Sequence, residues 1–163
     1  MMQTASIADN VSDVLMKIIC FTRLRRRVLH KNLHQADAGA FVPQDLPVHE
    51  FAEILNGALA EHLQHHRLLF RDTPNIKFGP QGTMTIRPVA DPQAHALRQT
   101  DRDEYTELQI NKLLENCLNR RLAEELLRKK WGVHIGPLGR DTDPPCPGDG
   151  PWESLTPDRD PTD

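Results

Sequence analysis

Apolar residues recur along the start of the chain in alternating steps of four and three. Ile7, Val11, Val14, Ile18, Phe21 and Val28 follow the a/d spacing of a coiled-coil seam, with Arg25 interrupting the series. Leu15, Thr22 and Leu29 widen the stripe. Ser6 with Asp9 has the form of a capping box, and Asp9 or Asn10 can cap equally, so the spacing predicts a first helix over about 9–35. A second stripe, Phe51, Ile54, Leu55, Ala58, Leu59 and Leu63, predicts a helix over about 46–69. There Asp45 is placed to act as N-cap, Pro47 suits the first turn, and Glu50 puts negative charge near the positive end of the helix dipole.

Regularity then breaks over 70–100, where Pro74, Pro80, Pro88 and Pro92 interrupt any helix. Ile76-Lys77-Phe78 and Met84-Thr85-Ile86 alternate around Gly79-Pro80-Gln81-Gly82, the signal of a small hairpin with a four-residue loop. A last helix is expected over about 102–131, capped by Thr100 or Asp101 and stopped by Gly132. Its apolar positions are Tyr105, Leu108, Ile110, Leu113, Leu114, Cys117, Leu118, Leu122, Leu126, Leu127 and Trp131. Two long helices, one at each end of this region, bury their stripes only against each other or against other chains. The expected fold is therefore mainly α. It is an elongated antiparallel coiled coil or bundle of the first and last helices, with a shorter middle helix and the irregular segment alongside. In that arrangement Val11, Val14, Ile18, Phe21 and Val28 face Leu114, Leu118 and Leu122.

Composition narrows the function classes. The 163 residues are 38% hydrophobic and 5% aromatic, a lean mixture that suits a thin helical assembly better than a thick enzyme core. The densest apolar stretch, Val14 to Phe21, contains Lys17 and falls well short of the roughly 18 residues a membrane span needs. No basic segment and cleavage site precede the first helix, so no cleaved secretory signal is expected. A net charge of −3 argues against general nucleic-acid binding. Residues 141–163 hold seven acids against one base, a charge of −6, which leaves +3 on the remainder. Seven of the 13 prolines lie beyond Gly132, so 132–163 reads as a disordered Pro/Asp-rich tail with Trp152 its one anchor, and 1–8 as a flexible N-terminus. The cluster Arg23, Arg25, Arg26, Arg27 and Lys31 reads as a basic helix face with snorkelling stems, or as a docking face for an acidic partner.

Reactive chemistry is sparse. His62, His65 and His66 form H-x-x-H-H on a helix, without a carboxylate or cysteine spaced to complete a tetrahedral site. His49-Glu50 begins like a zinc-protease motif, but Glu53 stands where the second histidine belongs. Cys20 and Cys117 lie on apolar stripes and are expected as buried thiols. Gly79-Pro80-Gln81-Gly82 lacks the lysine and following helix of a phosphate loop. The reading assigns no catalytic, cofactor-binding or metal-binding residues.

The junction after the first helix carries a resemblance. Asn32-Leu33-His34-Gln35-Ala36-Asp37-Ala38-Gly39-Ala40-Phe41 is similar to the N-I-A-N-x-D-T-P-G-Y signature of bacterial flagellar rod and hook proteins. Asn32, Asp37 and the aromatic Phe41 match, while Ala38-Gly39-Ala40 replaces Thr-Pro-Gly, with Gly39 able to supply a left-handed residue one position early. The run Phe41, Asp45, Leu46, Phe51, Leu55 resembles the segment after that signature in the proximal rod protein of the basal body, the FlgB type. Glu115-Asn116-Cys117-Leu118-Asn119-Arg120-Arg121-Leu122 resembles the closing helix of that family. The resemblance implies a non-catalytic, cofactor-free structural subunit with a rod-protein-like domain over 9–131. Its turn and assembly motif is Asn32, Asp37, Gly39, Phe41 and Asp45. It also implies export through the flagellar type III apparatus and polymerisation in the periplasmic rod, with further copies and other rod and ring proteins as partners. The competing expectation is a cytoplasmic helical adaptor or regulator that binds a partner through its basic first helix.

Overall fold

A computed structural model describes residues 3–131, with side chains described for 10–130. The tail expected over 132–163, with Trp152, lies outside the described residues. Four helices and two short two-stranded sheets come in the order α1 (Gln3–His34), β1 (Gln44–Asp45), α2 (Val48–His65), β2 (Ile76–Phe78), β3 (Met84–Ile86), β4 (Val89–Ala90), α3 (Pro92–Thr100) and α4 (Arg102–Trp131). The architecture is the expected mainly helical one.

α4 starts where its signals predict and runs to Trp131, the last described residue, while the stop expected at Gly132 lies outside the described residues. The Asp101 carboxylate accepts from the free backbone N–H groups of Asp103 and Glu104, each at 3.0 Å, and so starts the helix. α1 begins earlier than expected, at Gln3, which puts Ser6 and Asp9 inside the helix instead of at its cap. α2 is shorter than expected, starting after Pro47 and ending where His66 turns into the left-handed region at φ 55°. Asp45 does not cap it, because that carboxylate is engaged elsewhere. The segment over 70–100 holds more order than its prolines suggest. Pro92 occupies the first turn of α3, and the Asp91 carboxylate accepts from the Ala94 N–H at 3.0 Å.

β2 and β3 form the expected hairpin, pairing Ile76 with Ile86 and Phe78 with Met84. Its connection is five residues, 79–83, with Gln81 and Gly82 at positive φ. β1 pairs with β4, Gln44 opposite Ala90 and Asp45 opposite Val89, a pairing between strands too short to leave a sequence signal.

The core has two parts. In the larger, Cys20 and Phe21 of α1 meet Leu46, Phe51 and Ile54 beside the hairpin residues Ile76, Met84 and Ile86. Phe21 stacks on Phe51 with ring centroids 4.1 Å apart. In the smaller, Leu15 and Ile19 of α1 meet Ala123 and Leu127 of α4, which makes the two helices antiparallel. Lys17 fastens the hairpin to α1: its ammonium donates to the Gly82 carbonyl and lies 5.8 Å from the ring centroids of both Phe70 and Phe78. Burial pushes the Lys17 pKa down, with Asp13 opposing.

Candidate functional site

The expected seam does not exist as drawn. Phe21 and Val28 belong to the cluster built with α2 and the hairpin, and Ile18 borders both that cluster and the smaller one with α4. Val14 is buried, whereas Val11 is 43% exposed. On α4, Leu114, Leu118 and Leu122 are 58%, 67% and 61% exposed and face solvent. The stripe of highest hydrophobicity on α4 is not its buried stripe. What α4 buries is Tyr105, Gln109, Asn116, Ala123 and Leu127, with Lys112 half-buried among them.

That inward face is largely polar, and its groups are specifically paired. At one end, Asn116 Nδ2 donates to the Thr22 carbonyl at 2.7 Å. At the other, Asn32 is buried at 1% exposure and joins three elements. Its Nδ2 donates to the Gln44 carbonyl at 2.7 Å and to Gln109 Oε1 at 2.9 Å, and its Oδ1 accepts from the Gln44 N–H at 3.1 Å. The Tyr105 hydroxyl donates to the Asn32 carbonyl at 2.8 Å. The Asn32 side chain thus acts as a one-residue strand partner for Gln44 and fixes where the chain returns after α1. Gln109 Nε2 and Asn116 Oδ1 have no hydrogen-bond partner among the described residues.

Between these ends Arg25, Asp45, Asp91 and Lys112 gather from four places in the chain, with the exposed Glu115 carboxylate 3.8 Å from Arg25 Nη1 at their edge. Arg25 Nε and Nη2 clasp the two carboxylate oxygens of Asp45 at 2.8 and 3.0 Å, the two-pronged geometry of a strong guanidinium–carboxylate pair. Lys112 Nζ bridges Asp45 Oδ2 at 3.0 Å and Asp91 Oδ2 at 2.5 Å. The two buried anions are each met by a cation, the condition under which ions tolerate burial, and the third anion, Glu115, stays in solvent. For Asp45, burial alone raises the pKa, but the Arg25 hydrogen bond and charge, with Lys112 behind them, hold it below the usual carboxylate range. For Lys112, burial lowers the pKa, and the contacts to Asp91 and Asp45 outweigh it and raise it. Arg25 is therefore an inward ion-pair partner and not part of a snorkelling basic face, as its place in an arginine run suggests.

The rest of the turn motif sits outside. Asp37 is exposed and pairs with Arg102. Phe41 is half-buried, with the Arg98 guanidinium 5.9 Å from its ring centroid. Gly39 is exposed, is not at positive φ, and has open space where a Cβ would stand, so the left-handed role expected of it is absent. Asn32 and Asp45 are thus brought to the helix interface, and Asp37, Gly39 and Phe41 are not.

The remaining candidates are dispersed. His62 lies 3.2 Å from Asn10, His65 bonds to Glu61 at 3.1 Å, and His66 closes α2. Among the described residues, no three His, Cys, Asp or Glu are gathered to hold a metal ion, and no helix is long and apolar enough to cross a membrane. Cys117 is free and exposed, contrary to expectation, and Cys20 is buried but disulfide-bonded. A pocket beside α2, lined by Gly57, Ala58, Leu69 and Arg71 among others, gathers no reactive pair. Comparison with known protein families, with curated proteins and with solved structures finds no match.

Proposed function

We propose that this chain is a structural subunit of the bacterial flagellar basal-body rod, exported without a cleaved signal and assembling through its terminal helices. One observation carries most weight. Asn32, the first residue of the rod-like signature, joins the end of α1, the strand after it, and the closing helix α4, the segments on which the resemblance rests. A second support is physical. α4 leaves a row of large apolar side chains uncovered, as a subunit does when its surface is completed by neighbours. The reading includes no catalysis and no cofactor.

The adaptor reading draws less support, because Arg25, central to the basic run, is turned inward to Asp45. The experiment that separates the two is fractionation of flagellated cells producing a tagged chain. A rod subunit co-sediments with purified basal bodies after detergent and salt washes. Recovery only in the cytosolic supernatant overturns the rod reading.

A further inference from the structure

Cys20, on α1, is disulfide-bonded and buried, while Cys117, on α4, is a free and exposed thiol. The chain has three cysteines, so within one chain the sulfur left to partner Cys20 is that of Cys146. The reach is available. Leu15 and Ile19 pack against Leu127 and Ala123 in antiparallel order, so α4 ends level with Val11, about 14 Å along α1 from Cys20. The stretch from Trp131 to Cys146 extends to about 50 Å. Charge supplies a second observation. Residues 141–153, on either side of Cys146, hold Asp141, Asp143, Asp149 and Glu153 and no base. Arg23, Arg27 and Lys31 follow Cys20 at the spacing of one helix face. Arg27 and Lys31 are exposed, and all three cations, like Cys20, hold a partner.

We infer that Cys20 is bonded to Cys146, and that this disulfide holds the acidic segment 141–153 over the Arg23, Arg27 and Lys31 face of α1 as a thiol-controlled cover. Attraction between exposed acids and bases is weak and salt-screened on its own. A covalent anchor at the head of the basic face raises their effective concentration and makes the contact persistent. The bond forms by exchange with a disulfide oxidant such as oxidised glutathione. One cysteine thiolate attacks a glutathione sulfur and expels the other glutathione as a thiolate, leaving a mixed disulfide. The second cysteine thiolate then attacks the protein sulfur of that mixed disulfide and expels the remaining glutathione. Two protein thiols thereby lose two electrons and two protons, and oxidised glutathione gains them as two thiols. Excess dithiol reverses the exchange, frees the acidic segment and opens the basic face to an acidic partner. The bond persists in an oxidising compartment and is lost in a reducing one. The inference does not rest on the rod reading, and exclusion of the chain from basal bodies leaves it standing.

Non-reducing tryptic mapping of the full chain, equilibrated with oxidised glutathione, tests the bond. Iodoacetamide should label Cys117 alone, and the peptide over 18–23 should travel joined to the peptide over 141–159 and separate on reduction. Binding to poly-L-glutamate tests the cover. The oxidised chain should bind this probe weakly. Reduction, or Cys146→Ser, which spares the buried Cys20, should strengthen binding severalfold, by a margin that shrinks as salt is added. Replacing Arg27 and Lys31 together by glutamine, both at exposed positions, should remove the gain. Three alkylated thiols after oxidation overturn the inference. So does a Cys20 joined to Cys117 or to a second chain, or equal affinity of the oxidised and reduced chains for polyglutamate at low salt.

Discussion

Lys112 spans two carboxylates that the β1–β4 pairing brings side by side, and the consequences are testable at single residues. Replacing it by methionine keeps the stem but leaves Asp91 buried without its cation and Asp45 with Arg25 alone. Breaking a buried ion cluster in this way costs about 3 kcal/mol or more, to be read from the urea midpoint. The pH dependence has a definite sign. Asp45 has a folded pKa below its unfolded value, so its stabilisation is complete above the unfolded value and disappears as pH falls through the folded one. Stability should therefore decline below about pH 4, the unfolded carboxylate range. Asp45→Asn should start lower and flatten that decline. An acid limb unchanged in Asp45→Asn would show that another carboxylate sets it. Lys112, with its pKa raised, contributes in the opposite window, lost only as pH rises through its folded value. The turn motif gives a matched pair. Asn32→Ala strips partners from the Gln44 N–H and from Gln109, and should cost about 2 kcal/mol. Asp37→Ala, at an exposed pair with Arg102, should shift stability by less than about 0.5 kcal/mol. Equal losses would mean that the motif acts as a turn and not through the interface under Asn32.

At the scale of the element, α4 shows what hydrophobic periodicity reads and what it does not. Its start is legible, because Asp101 is a strong cap just before the apolar recurrence. Its orientation is not, because the pattern marks the apolar row while Tyr105, Gln109, Lys112 and Asn116 form the buried one. A buried amide or ammonium has the same letter in a sequence as an exposed one, and only its partners distinguish them. Those partners, Asn32, Thr22, Asp45 and Asp91, are remote in the chain. Arg25 is hidden for the same reason: an arginine among arginines carries no sign that Asp45 waits 20 residues on. α3 is masked by its proline, although Asp91-Pro92 is a helix-start signal when taken at its position. One helix therefore supplies its own control. Leu127→Asp places a charge at a position 9% exposed and should cost about 3 kcal/mol, seen as a lowered melting temperature. Leu118→Asp, on the row at 67% exposure, should leave the melting temperature of dilute protein nearly unchanged. The reverse ranking would mean that α4 is rotated about its axis relative to this description.

At the scale of the whole molecule, the question is what makes two separate apolar clusters unfold together. One joins α1 to α2 and the hairpin, the other joins α1 to α4, and only the half-buried Ile18 borders both. The charge cluster provides the tie: Arg25 comes from α1, Asp45 from β1, Asp91 from the start of α3 and Lys112 from α4. Losing α4 leaves Asp45 and Asp91 short of a cation, and losing the β1–β4 pairing leaves Lys112 in a buried site without its anions. Coupling of this kind predicts that native-state hydrogen exchange assigns one opening free energy to the amides of α2 around Phe51–Ala58 and of α4 around Gln109–Asn116. In Lys112→Met both apolar clusters remain, but the tie is cut. The α4 amides should then exchange through an opening of lower free energy than the α2 amides, splitting one cooperative unit into two. An equal drop in both sets would assign cooperativity to the shared helix α1 and reduce the ion cluster to a local contribution. Two openings already present in the unmodified chain would refute the tie outright.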